Sequence, residues 1–161
     1  NYSGPWSVVA HPPCRGWSRM RAFSTAPRAE LELGPLAVEQ VRCWGGVLEH
    51  PAGSALWNHC ALPHPGDWDR DGFCVGLPQL WFGHRAEKRT LLYICGIDPL
   101  SLPPFPMVLG HASHTVEGYS GRDRATARPG ILKRERTATP IEFARWLLSV
   151  AELAQQRRAA A

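Results

Sequence analysis

The sequence predicts a fold of the α/β class, with a strand-helix-strand unit and flanking helices. The apolar β-branched run WSVVA, residues 6–10, is typical of a short buried strand, and two prolines soon end it. A helical pattern with apolar positions on one side runs from Arg28 to Trp44, and VLEH, residues 47–50, follows as a second strand. This order is typical of two parallel strands joined by a crossover helix.

The rest of the chain adds two strands, an irregular region and a helix. The runs at residues 73–83 and 90–97 are predicted strands joined as a hairpin or sharply linked pair. Residues 98–136, rich in Pro, Gly, Ser, His and Arg, are predicted to be a long loop or small irregular insertion. A helix then begins with Thr139 as N-cap and Pro140 at its first position. At 161 residues, the chain is expected to form one domain.

The composition favours some classes of protein over secreted disulfide-bonded proteins and membrane proteins. Lys and Arg number 18 against 14 Asp and Glu, and the net charge of +4 suits a polyanionic partner. The five cysteines form no CxxC pair, which argues against a secreted disulfide framework. No apolar run approaches the roughly 20 residues of a membrane helix. We therefore expect a cytoplasmic protein, and the loose spacing of its Cys and His residues predicts no metal site.

Cys14 is the first candidate catalytic residue. It lies in PPCRGWS, residues 12–18, directly after the first predicted strand. A cysteine attacks as a thiolate, which a positive neighbourhood stabilises, and Arg15, Arg19 and Arg21 are close in sequence. The alternative is a small buried apolar residue, the interpretation we prefer for the remaining cysteines, Cys43, Cys60, Cys74 and Cys95.

Glu49 is the second candidate, because a carboxylate at the end of the apolar run GGVLE needs a donor partner or a proton. The carboxyl ends of parallel strands meet at one edge of a sheet, so Cys14 and Glu49 are predicted to converge there. The alternative is an edge glutamate that forms a salt bridge with a nearby arginine.

Four segments, in order, resemble motifs of the DNA cytosine-5 methyltransferases of phage and bacterial type. PPCRGWS matches five of the seven positions of Pro-Pro-Cys-Gln-Gly-Phe-Ser, and VLEHPAG resembles the Glu-Asn-Val motif 35 residues further on. GLPQLWFGHRAEKRTLLYICG is similar to the Gly-Val-Pro-Gln segment, and RERTATPIEFARWL to the late Arg-x-Leu-Thr-x-x-Glu segment. The resemblance covers most of the chain and implies a partial Rossmann-like methyltransferase sheet with flanking helices.

The resemblance implies that the substrates are DNA and S-adenosylmethionine. Cys14 would add to carbon 6 of a flipped cytosine, and Glu49 would grip ring nitrogen 3 and the exocyclic amine. Substrate-binding roles would fall to residues within these segments, Arg15, Ser18, Gln79, Arg85 and Arg89. For the charges around Arg85 and Arg89, the alternative is a solvated turn.

The sequence also departs from the family. Arg15 replaces Gln, His50 replaces Asn, and LWFGH lengthens the spacing between Gln79 and Arg85. The glycine-rich turn and the acidic residue that bind the cofactor lie on earlier strands in the family, so we expect a missing N-terminal segment or a partner chain to supply them. Two other hypotheses stay open: a non-catalytic nucleic-acid-binding module on the same scaffold, and a different base-modifying enzyme.

Overall fold

The computed structural model describes residues 2–19, 21–108, 110–116 and 128–160. Three 3₁₀ turns cover Arg21–Phe23, Gln79–Phe82 and Pro99–Ser101. The strands are β1 (Val8–Ala10), β2 (Gly46–Pro51), β3 (Gly72–Pro78) and β4 (Arg89–Cys95), and the helices are α1 (Arg28–Trp44), α2 (Leu56–His59), α3 (Lys133–Thr137) and α4 (Ile141–Ala159).

The four strands form one open mixed sheet in the order β1-β2-β4-β3. Strands β1 and β2 are parallel, with Val8 opposite Gly46, and α1 connects them as predicted. Strand β4 lies between β2 and β3 and is antiparallel to both. The α/β class, the strand-helix-strand unit and the antiparallel β3-β4 pair are therefore confirmed. The strand predicted for residues 73–83 is too long, because it ends at Pro78 and a 3₁₀ turn, Gln79–Phe82, follows.

The sheet has an apolar layer on each face. Since side chains alternate along a strand, Val47 of β2 faces one side and Leu48 the other. The Val47 side packs on α4 through buried residues that include Phe143, Leu147 and Val150. The Leu48 side packs on α1 and α2 through Ala37, Val38, Val41, Leu56 and Trp57. The alternation places Glu49 on the α4 side and His50 on the α1 side.

The turn from α1 into β2 depends on two glycines. Gly45 (φ 74°) ends α1 and Gly46 (φ 113°) begins β2, both in the left-handed region that L side chains rarely adopt. A Cβ on Gly46 would lie 2.1 Å from the Val8 carbonyl oxygen and 2.6 Å from the Val8 nitrogen. Only glycine therefore lets β1 and β2 pair this closely.

Three local predictions need correction. Pro35 lies inside α1 rather than in an early turn, because the helix already begins at Arg28. Helix α4 begins at Ile141 with Pro140 as its N-cap instead of Thr139, since the Ala144 N–H donates to the Pro140 carbonyl (3.0 Å). Cys43 is exposed rather than buried, because it lies two residues past the buried Val41 and so points away from the sheet.

Cys74 and Cys95 are buried as predicted, and Cys60 is partly buried. The region predicted to be irregular, residues 98–136, holds a 3₁₀ turn and α3 among its described residues. Residues 117–127 of that region lie outside the described part of the chain.

Candidate active site

Cys14 and Glu49 lie at the same end of the sheet, where the Glu49 carboxylate disfavours ionisation of the Cys14 thiol. Cys14 is exposed in the loop after β1. Glu49 lies inside β2, opposite Leu92 of β4, rather than just past the end of the strand as predicted. The two parallel strands end at this edge, and β4 begins there, so three strands contribute residues to one place.

Glu49 is held by three side chains from three segments of the chain. His11 Nδ1 lies 3.0 Å from Oε2, Gln79 Nε2 donates to Oε1 at 3.2 Å, and the Thr90 hydroxyl donates to Oε1. Burial alone would raise the pKa of Glu49, but the hydrogen bonds from His11 and Thr90 hold the pKa of this carboxyl below its usual range. Glu49 is therefore a fixed, buried carboxylate at neutral pH.

Cys14 does not have the electrostatic environment that the sequence suggests. Although the residue as a whole is exposed, desolvation by the protein around its sulfur and the nearby Glu49 carboxylate raise the pKa of its thiol, whereas Lys88 opposes them. Arg15, the expected neighbouring cation, instead pairs with Glu30 of α1, where its Nε donates to Oε1 at 2.6 Å and its Nη2 contacts Oε2. Arg15 therefore does not supply the expected cationic stabilisation of a Cys14 thiolate. The positive charge that favours the thiolate is that of Lys88, just before β4.

Of the predicted substrate-binding residues, only Gln79 contacts Glu49. The Ser18 hydroxyl donates to the Arg15 carbonyl at 3.3 Å, within the loop that carries Cys14. Arg85 pairs with Glu135 of α3, and Arg89 pairs with Glu87. These two arginines and Arg15 are exposed, and each has a glutamate partner.

His11, Thr90 and Lys88 are residues of the site that sequence reasoning missed. Thr90 and Lys88 flank the predicted Arg89, in a segment whose charges resembled a solvated turn. Because residues two apart on a strand share a face, the pattern Lys88-x-Thr90 signals that both side chains point toward the side of Glu49. For His11, the sequence offers one indication of a place in the site, namely its position directly after the first strand.

His50 lies on the α1 side of the sheet, opposite the side that Glu49 faces, and is close to Pro12 and Pro13 of the loop that carries Cys14. Its side chain is 1% exposed, and neither ring nitrogen makes a hydrogen bond within the described part of the chain. Burial lowers its pKa to about 4, although the nearby Glu49 carboxylate and the Pro13 carbonyl favour the charged form. His50 is therefore a neutral imidazole packed against the two prolines that precede Cys14.

A cleft of about 620 Å³ opens at the far end of the sheet, where Cys95 and Arg42 are among its lining residues. It does not include Cys14 or Glu49, and Arg42 already pairs there with Asp69 and Asp71. We favour the Cys14 end as the candidate site because an exposed thiol and a buried, hydrogen-bonded carboxylate both lie there.

Two further features concern the described residues alone. No group of three or more His, Cys, Asp or Glu side chains among them is arranged to hold a metal ion. None of the helices they form has both the length and the apolar character needed to cross a bilayer.

Comparison of the chain with protein-family models, curated proteins and solved structures finds no match. The assignment of a function therefore depends on the site itself and on the four motifs.

Proposed function

We propose that this chain is the C-terminal catalytic part of a DNA cytosine-5 methyltransferase, of phage or bacterial type and acting in the cytoplasm. The observation that supports the proposal is that the loop carrying the exposed Cys14 and the hydrogen-bonded carboxylate of Glu49 lie at the same end of the sheet. Gln79, from the third of the four motifs, completes the arrangement by donating to Glu49. The strand order and the crossover helix α1 are consistent with a partial Rossmann-like sheet.

Cys14 begins the reaction as the nucleophile. Its thiol loses a proton to water, and the thiolate forms a bond to carbon 6 of cytosine. The carbon 5–carbon 6 π pair shifts to the carbon 4–carbon 5 bond, and the carbon 4–nitrogen 3 π pair moves onto nitrogen 3, which takes a proton from water. Carbon 5, unreactive in the free base, then becomes nucleophilic. The exposed position of Cys14 leaves the sulfur accessible to a base that has been rotated out of the duplex.

Glu49 would hold the cytosine and offset the charge that develops on it. A carboxylate accepts a hydrogen bond from the exocyclic amine and stabilises a proton on ring nitrogen 3. His11, Gln79 and Thr90 fix the carboxylate before substrate arrives, so little reorganisation is needed during the reaction.

S-adenosylmethionine, the cofactor that the resemblance implies, would supply the methyl group for carbon 5. The described residues do not fit it, since none of them provides the glycine-rich turn and acidic residue of the family's pocket. Strand β1, with β2 on one side, is an edge strand of the described sheet. In this proposal, an N-terminal segment or a partner chain would hold the cofactor.

Exchange of the hydrogen on carbon 5 tests the addition step without a methyl donor. Reversible addition of Cys14 allows carbon 5 to gain and lose a proton, so DNA containing [5-³H]cytosine should release tritium to water. Random-sequence DNA avoids the need to know the target site. We expect Cys14→Ser to abolish release, and Cys43→Ser, which alters the other exposed cysteine, to retain it. Equal release by wild type and Cys14→Ser would refute the proposal.

The paired arginines and the raised thiol pKa favour a second candidate, a nucleic-acid-binding module without turnover. This candidate predicts salt-sensitive DNA binding that Cys14→Ser and Glu49→Gln leave unchanged, with no tritium release by wild type. A different base modification would instead release tritium and give a product of another mass.

A further inference from the structure

We propose that His11 is a catalytic residue of the site, which passes a proton from water to nitrogen 3 of the cytosine that Cys14 attacks. The inference deepens the proposed function and rests on it. His11 directly precedes PPCRGWS and lies outside all four motifs, so the resemblance assigns it no role.

The two oxygens of the Glu49 carboxylate have different surroundings. Oε1 accepts hydrogen bonds from the Gln79 side-chain amide at 3.2 Å and from the Thr90 hydroxyl, and both of these residues are buried. Oε2 lies 3.0 Å from His11 Nδ1, its one hydrogen-bond partner within the described part of the chain. A base that enters from solvent therefore approaches the carboxylate on the side of Oε2 and His11.

The His11 imidazole stands between solvent and the carboxylate. Its side chain is 35% exposed, whereas that of Glu49 is 11% exposed. Its other ring nitrogen, Nε2, makes no hydrogen bond to any of the described residues. Nε2 is thus available to a ligand on the exposed side of Glu49.

The ionised carboxylate determines which nitrogen of His11 holds the proton. An ionised carboxylate only accepts hydrogen bonds, so the contact with Oε2 requires a proton on Nδ1. In the neutral ring Nε2 is then an acceptor, which takes a proton from water to give an imidazolium. His50, which also lies near His11, is a neutral imidazole on the opposite face of the sheet.

Proton transfer accompanies the addition of the thiolate. As the bond between sulfur and carbon 6 forms, the Nε2–H bond breaks and a nitrogen 3–H bond forms. The imidazole is then neutral, and its Nδ1–H still donates to Glu49. When Cys14 leaves carbon 6, the proton returns from nitrogen 3 to Nε2. Oε2 keeps a lone pair for the exocyclic amine throughout.

The test compares tritium release from [5-³H]cytosine DNA by wild type, His11→Asn and His64→Asn. Asparagine keeps an N–H near the position of Nδ1, so it can still donate to Glu49, but it cannot carry a proton to the base. We expect His11→Asn to release tritium about 100-fold more slowly, the usual effect of a lost general acid. His64, an exposed histidine before β3, is the control and should leave the rate unchanged.

Rescue by free imidazole separates proton transfer from positioning. Because the His11 side chain is partly exposed, imidazole can enter the space that His11→Ala leaves. We expect it to raise tritium release by His11→Ala about tenfold and to leave Cys14→Ser inactive. A His11→Asn rate equal to that of wild type, or no rescue of His11→Ala, would overturn the inference.

The tautomer of His11 provides a measurement that needs no DNA. In ¹⁵N NMR of the wild-type protein at about pH 8, the neutral His11 ring should hold its proton on Nδ1. A proton on Nε2 instead would contradict the bond to Glu49 and the role derived from it.

The outcomes separate His11 from the proposed function. Tritium release that survives His11→Asn removes the role of His11 and keeps that of Cys14. Absence of release by wild type refutes the proposed function together with the transfer to cytosine, whatever tautomer the NMR measurement shows.

Discussion

In the proposed reaction, Glu49 would have two opposing effects. As a carboxylate it raises the pKa of the Cys14 thiol, and as a hydrogen-bond acceptor it would hold the cytosine that the thiol attacks. A single substitution at Glu49 should therefore change thiol reactivity and catalysis in opposite directions, a result that a purely structural role would not produce.

For Glu49→Gln we expect Cys14 alkylation at pH 7.5 to increase about twofold to fivefold, because a negative charge near the sulfur is lost. Tritium release should fall about 100-fold or more, since the amide does not stabilise a protonated ring. Glu142→Gln, an exposed glutamate on α4, is the control and should change neither rate. Slower alkylation in Glu49→Gln would contradict the electrostatic account.

His50 should make folding stability depend on pH. In the native state it stays neutral down to about pH 4, whereas in the unfolded chain it takes up a proton near pH 6.5. Its contribution is thus fully present above pH 6.5 and decreases between pH 6.5 and about 4. The difference corresponds to about 3 kcal/mol.

Urea unfolding of wild type and His50→Asn at pH 7.5, 6.0 and 5.0 checks this expectation. Asn does not titrate, so the free energy of unfolding of His50→Asn should fall less between pH 7.5 and 5.0 than that of wild type. Glu49 does not interfere with the comparison. Its pKa is lowered from about 4.5 on folding, so its own contribution to the free energy of unfolding changes mainly below pH 4.5. Parallel pH dependence in the two proteins would show that His50 is not a buried neutral imidazole.

At the scale of elements, the pairing of β1 with β2 determines the position of the loop that carries Cys14. Strand β1 has three residues, and its first pair joins Val8 to Gly46. A shift of this pair would displace the loop that carries Cys14 relative to Glu49.

We expect Gly46→Ala to lower the free energy of unfolding by about 2 kcal/mol or more, since it adds a clash with the Val8 backbone to an unfavourable φ. Gly66→Ala is the matched control: Gly66 has a φ of 91° but no atom within 4 Å of a new Cβ, so it should cost only about 1 kcal/mol. Equilibrium urea unfolding measures both. Equal losses would mean that the close approach to Val8 is not limiting.

Elements with a strong local pattern could be predicted from the sequence, and contacts between distant segments could not. The apolar face of α4 and the apolar run of β4 indicated a helix and a strand directly, and the PPC loop pointed to Cys14. The partners of Arg15 and Arg85, Glu30 and Glu135, depend on how α1 and α3 pack, which no local spacing encodes. Lys88 was missed for a different reason: its spacing of two residues from Thr90 is a local signal, but the charges around it resemble a solvated turn.

At the scale of the whole molecule, the site and the far cleft lie at opposite ends of one sheet. Gly72 pairs with Cys95 at the far end, and Pro78 pairs with Arg89 at the end that holds Glu49. The exposed arginines Arg15 and Arg85 also lie in segments next to the site, so a DNA backbone bound there would meet several positive charges. Their glutamate partners need not prevent this, because exposed ion pairs contribute about 1 kcal/mol or less.

The salt dependence of DNA binding should distinguish the two ends. Each arginine that neutralises a phosphate contributes about one to the slope of log Kd against log salt concentration. We expect Arg15→Ala, Arg85→Ala and Arg89→Ala each to lower that slope by about one, measured by fluorescence anisotropy with random-sequence duplex DNA. Arg70→Ala is the matched control, because Arg70 is exposed and paired with Asp71 at the far end of the sheet. If Arg70→Ala lowered the slope as much as Arg89→Ala, the charges would act only through net charge, and DNA binding would give no support to a site at the Cys14 end.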